Sequence, residues 1–80
     1  MYLSVKTVIP LENFKLEITF ENDEKRIFDV GKYLRLPAFQ SLKDPIEFRK
    51  VKVSFDTVQW ENEADIDPEV LYSEGVLRHS

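Results

Sequence analysis

With 80 residues the chain has room for one domain, and so short a chain needs a dense core because folding buries a smaller share of its surface. Hydrophobic residues make up 42%, including six Phe, three Tyr and one Trp, which supplies such a core and sets the chain apart from disordered sequences. The absence of cysteine excludes disulfides, thiolate metal sites and cysteine nucleophiles, while the net charge of −4 divides into blocks of −3 (residues 1–24), +5 (25–52) and −6 (53–80).

Leu3, Val5, Thr7 and Ile9 alternate with Tyr2, Ser4, Lys6 and Val8, which predicts a first strand ending at Pro10. Phe14, Leu16, Ile18 and Phe20 alternate with Lys15, Glu17, Thr19 and Glu21, one face apolar and the other solvated. The polar turn Glu21-Asn22-Asp23-Glu24 leads into a third strand over 26–30, so strands two and three form a hairpin. After Gly31, residues 32–36 have helical spacing for about one turn before Pro37, and residues 38–42 read as irregular chain or a short helix. Asp44-Pro45 opens a short helix, with Asp as N-cap and Pro where its missing N–H costs nothing. Val51, Val53 and Phe55 mark a fourth strand, and Thr57–Trp60 a fifth after a tight turn at Asp56. Asp67-Pro68 starts a last helix that Gly75 ends.

The expected fold class is therefore α+β, with a small, mostly antiparallel sheet. It has about five strands, three then two, with short helices in the order β-β-β-α-β-β-α. One domain spans residues 1–80, its ordered core covering about 3–73 and its tail at 76–80 fraying. The start Met1–Lys6 lacks a charged lead into an apolar run, and no apolar stretch approaches the ~20 residues of a membrane helix. A cytoplasmic protein with no membrane contact is the expectation.

The inventory of reactive groups is thin. His79, the single histidine, stands one residue from the end, where disorder is the default, and no nearby serine has a plausible base to activate it. Gly31 and Gly75 stand alone, so there is no phosphate-binding loop. The alternating acids Glu61, Glu63, Asp65, Asp67 and Glu69 would share one face of an extended segment, yet they lack a calcium-loop pattern and Asp67 is needed as an N-cap. No catalytic residue, cofactor or metal is expected. Tyr33, Phe39 and Phe48 lie in the basic block, but overall acidity and the want of a recognition helix argue against direct nucleic-acid binding.

The motif series Phe28-Asp29-Val30, Tyr33-Leu34, Phe48, Val51-Lys52-Val53, Trp60, Ala64-Asp65-Ile66-Asp67-Pro68-Glu69 and Leu71-Tyr72 resembles the bacterial family known as domain of unknown function 2442, from about Val5 to Tyr72. A glycine common after the second-strand turn in that family is replaced by Asp23-Glu24. The resemblance implies a compact α+β domain like the N-terminal domain of some members. Others carry a C-terminal helix-turn-helix, which this chain is too short to add, so DNA binding by that route is not expected. Stand-alone members look like one half of a two-gene module beside a small toxin-like protein, and the family brings no agreed catalytic residues.

The reading favoured by residues and resemblance together is a non-enzymatic interaction module, the antitoxin-like partner of another small protein. Glu61, Glu63 and Asp65 are its expected contacts, neutralising a basic partner in a salt-sensitive way. The alternative is a small-molecule-sensing domain with its ligand near Trp60 and Tyr72. Homodimer formation through sheet edges is left open.

Overall fold

The computed structural model describes residues 4–62 and 64–77. The apolar alternation of the first half becomes three antiparallel strands, β1 (Val5–Leu11), β2 (Lys15–Phe20) and β3 (Lys25–Asp29). Two 3-10 helices follow, Gly31–Tyr33 and Pro37–Lys43, and then α1 (Pro45–Phe48). A second antiparallel sheet is built from β4 (Lys52–Ser54), β5 (Thr57–Gln59) and β6 (Asp65–Ile66). The helix α2 (Pro68–Glu74) leads into β7 (Val76–Leu77), which pairs with β3. The class is α+β, with strand orders β1-β2-β3-β7 and β4-β5-β6.

Both Asp-Pro pairs start helices as their chemistry requires. The Asp44 carboxylate accepts from the Ile46 N–H at 2.9 Å, and that of Asp67 from the Glu69 N–H at 2.8 Å. Glu47 and Glu69 then lie in the first turns, where negative charge is favoured. The Gly75 N–H closes α2 on the Leu71 carbonyl at 3.0 Å. Glycine is required there for space, because a Cβ would sit 2.6 Å from that carbonyl oxygen and 3.0 Å from Arg26 Cβ. Where the family's usual glycine is absent, Asp23 itself takes the left-handed conformation (φ 66°) that Asp tolerates better than most residues.

The described residues form seven strands, against about five expected. β6 and β7 have two residues each, too few to show alternation, and they exist because β5 and β3 offer them edges. β7 also places Val76 and Leu77, expected in a fraying tail, on the sheet. β1 runs through Pro10 to Leu11, which an edge strand permits because one side of its backbone needs no ladder bond.

The core fills the space between the sheets and helices. Leu16, Ile18 and Phe20 of β2 meet Phe28, Val58, Ile66 and Leu71, and Phe39, Phe48 and Trp60 close one end. Glu17, expected on a solvated face, is only 7% exposed; its register partners Ile9 and Ile27 flank it on the adjacent strands. The charge blocks mix on folding, through ion pairs joining Arg26 to Glu24, Lys32 to Glu74 and Lys50 to Glu61.

Candidate functional site

The β4–β5 hairpin carries the least ordinary residue on the surface. Ser54 pairs with Thr57, leaving only Phe55 and Asp56 in the loop. Loops of this length favour glycine or asparagine at left-handed positions, yet Phe55 occupies one (φ 56°) and is 98% exposed. A bulky residue held there costs about 1–2 kcal/mol. The tip is anchored on the body of the domain, since the Val5 N–H donates to the Asp56 carbonyl at 2.9 Å and the Ser4 hydroxyl to its carboxylate at 3.3 Å. The exposed ring therefore stands on a fastened loop.

Beside the ring lies a shallow concavity of about 300 Å³, lined by Phe55, Asp56, Thr57, Gln59, Asp65 and Pro68. Its floor is the outer face of the smaller sheet, where Gln59 pairs with Asp65 and the Thr57 hydroxyl donates to the Ile66 carbonyl. Two carboxylates, Asp56 and Asp65, give it a negative lining.

The three expected contact residues fare differently. Asp65 is exposed and lines this concavity. Glu61 is exposed in the turn after β5, but its carboxylate faces Lys50 Nζ at 3.4 Å. That ammonium is held above its ordinary value by its hydrogen bond to Glu47, with the charges of Glu47 and Glu61 adding to it. Glu63 lies outside the described residues. The acidic run does not form one face: it turns at Glu61–Asn62, extends at Asp65 and becomes helical at Pro68. Phe55 was legible only as the last member of the Val51, Val53, Phe55 alternation; its outward position depends on where the turn falls.

A family model described as a protein of unknown function (DUF2442) matches residues 5–76. The chain belongs to this family. No curated protein matches it. A crystal structure from Nitrosomonas europaea ATCC 19718, of the protein NE0471 described as "Putative DNA Binding Protein", is similar with a TM-score of 0.69 and 27% identity, over 79% of this chain and 43% of that one. The chain thus spans less than half the length of that relative.

In this DUF2442 domain the most specific sequence motif is spent on folding. Trp60, Ala64, Ile66 and Leu71 are buried, and Asp67 and Pro68 start α2. Trp60 is 1% exposed and its indole N–H donates to the Phe48 carbonyl at 2.9 Å, so it is a core residue. Tyr72 packs edge-on against Phe20, away from the concavity, and donates its hydroxyl to Glu24. The structure does not join Trp60 and Tyr72 in a ligand site.

Two polar clusters hold α2 against β3 and the adjoining 3-10 helix. In the first, Glu24 accepts from Tyr72 at 2.7 Å and from Arg26 at 2.8 Å, and the Tyr72 hydroxyl chiefly holds its carboxyl below the ordinary value. In the second, Glu74 takes both the Lys32 ammonium and the Tyr33 hydroxyl at 2.6 Å. Those bonds lower the Glu74 carboxyl and raise Lys32 and Tyr33. Among the described residues no three His, Cys, Asp or Glu side chains come together as a metal site, and no helix is long and apolar enough to cross a membrane.

Proposed function

We propose that the domain is a non-enzymatic interaction module that binds a small basic protein in the manner of an antitoxin, with Phe55 as its anchor. The observation that carries this reading is the exposed ring of Phe55, kept in a strained backbone conformation on a fastened loop. Strain at an exposed position is retained when something other than stability selects for it. Asp56 and Asp65 beside it supply charge complementarity for a cationic partner, with Glu61 a peripheral contact. The family resemblance to halves of two-gene modules points the same way.

The test is site-specific photo-cross-linking from position 55 in cells of the source organism, with Ile46, another exposed apolar residue, as the control position. Expected is one small basic protein cross-linked from 55 and not from 46, whose association with the purified domain weakens with salt and is lost in Phe55→Ala and Asp65→Lys. Partner binding that both substitutions leave unchanged rejects the assignment.

Direct nucleic-acid binding is a second reading, brought by the description of the Nitrosomonas europaea protein. In its favour, Lys15, Lys25, Arg35, Lys43, Arg49 and Lys52 have no ion-pair partner among the described residues. It predicts retention on heparin and on duplex DNA that falls steeply with salt. Elution of the domain at low salt from both would reject it.

A further inference from the structure

A second concavity, of about 440 Å³, opens where the β1–β2 connection meets α1. Its apolar part is made by Leu11, Phe14, Pro45 and Phe48, with the two phenyl rings edge to face at 5.3 Å and 76°. Exposed Glu12, Asn13 and Arg49 complete the lining, and neither the Glu12 nor the Arg49 side chain has a hydrogen-bond or ion-pair partner among the described residues. The connection is also strained. Asn13 and Phe14 are both left-handed (φ 60° and 58°), a conformation that suits asparagine and is an outlier for phenylalanine. The chain thus accepts a conformational cost that leaves the Phe14 ring on the wall of this groove.

We infer that this groove is a binding site for a small aromatic zwitterion of the amino-acid class. The volume falls within the range of small-molecule sites. Two edge-to-face rings with Leu11 and Pro45 offer an apolar slot for a third ring. An unpaired guanidinium suits a carboxylate, which it can grip with two parallel hydrogen bonds, and an unpaired carboxylate suits an ammonium. A zwitterion engages both charges, whereas a singly charged ligand engages one and leaves the other to water. The groove also has a reporter, because Phe48 lines it while its carbonyl accepts from Trp60 Nε1 at 2.9 Å and its ring lies 6.1 Å from the indole.

The experiment titrates the domain with L-phenylalanine, 3-phenylpropionate and phenethylamine, reading the emission of the single tryptophan and the chemical shifts of Phe14 and Phe48. Expected is a saturable change with L-phenylalanine binding about tenfold more tightly than either one-charge analogue. Arg49→Gln should weaken L-phenylalanine and 3-phenylpropionate and spare phenethylamine; Glu12→Gln should weaken L-phenylalanine and phenethylamine and spare 3-phenylpropionate. Both residues are exposed, so an unchanged melting temperature shows that the variants fold. No saturable response to L-phenylalanine at about 10 mM overturns the inference, and so does binding that both variants leave unchanged.

Discussion

Tyr72 on α2 donates its hydroxyl to Glu24 Oε2 at 2.7 Å, and the same carboxylate takes the Arg26 guanidinium on its other oxygen at 2.8 Å. Arg26 in turn lies 4.0 Å from the centre of the Tyr72 ring and donates to the Gly75 carbonyl at 3.1 Å. One arginine, one glutamate and one tyrosine thus close a ring of contacts between the β2–β3 hairpin and the end of α2. With Glu74, Lys32 and Tyr33, this network fixes the position of the last helix. The concavity beside Phe55 includes Pro68 at the start of that helix, so the network bears on the candidate interface.

The two glutamates make stability pH-dependent. Both Glu24 and Glu74 are held below the ordinary carboxylate value, the first mainly by the Tyr72 hydroxyl and the second mainly by Lys32. A depressed carboxyl contributes its stability in full above the unfolded-state value and loses it as pH falls through the folded-state value. Lys32 and Tyr33 are raised, so their contribution is present below their unfolded-state values and is lost as pH rises through the folded-state ones. Urea midpoints should therefore fall on both limbs. Glu24→Gln and Glu74→Gln should lie below wild type at pH 7 and converge with it by about pH 2. A gap that stays constant on acidification would show that these carboxylates do not carry the acid limb.

Trp60 ties α1 to the second sheet through its bond to the Phe48 carbonyl. Trp60→Phe removes that donor, leaves a carbonyl without its partner and opens a void among Phe39, Phe48 and the sheet. The expected loss is about 2–4 kcal/mol in urea denaturation followed by circular dichroism. A loss under about 0.5 kcal/mol would place Trp60 outside the set of residues on which the core depends.

Members of the acidic run should separate by role. Asp67→Ala deletes a helix cap and should cost about 1 kcal/mol, as should Asp44→Ala at α1. Asp65→Ala removes an exposed carboxylate from the concavity beside Phe55 and should change stability by less than about 0.5 kcal/mol. Equal costs for Asp65 and Asp67 in thermal unfolding would contradict the distinction.

Features set by local chemistry were legible in the sequence. β2 announced itself through alternation of Leu16, Ile18 and Phe20 with Lys15, Glu17 and Thr19, and both helices through Asp-Pro caps, because each signal lies within a few residues. Features set by partners elsewhere in the chain were not. β6 and β7 arise from free edges on β5 and β3, and Glu17 is buried between residues of neighbouring strands. The acidic run divides because Asp67 is taken as a cap and Glu61 turns to Lys50, so equal spacing in sequence did not become one face. Phe14 and Phe55 carried no warning either. Phe14 opens one apolar alternation and Phe55 ends another, and only the geometry of the two strand connections reveals that each is left-handed.

Phe55 offers the sharpest contrast between stability and use. Asparagine tolerates the left-handed region because its short side chain bonds locally, and it does not bring the unfolded-state entropy of glycine. Phe55→Asn should therefore stabilise the domain by about 0.5–1 kcal/mol, since the exposed ring contributes little to the core that would be lost. Phe55→Gly should gain less, because its greater freedom in the unfolded chain offsets part of the relief. Thermal unfolding of the two variants against wild type measures both effects. A more stable Phe55→Asn domain that no longer cross-links its partner would mean that the ring is kept at the expense of the fold. A destabilised Phe55→Asn domain would mean instead that the ring serves the hairpin, and the interface would have to be sought elsewhere.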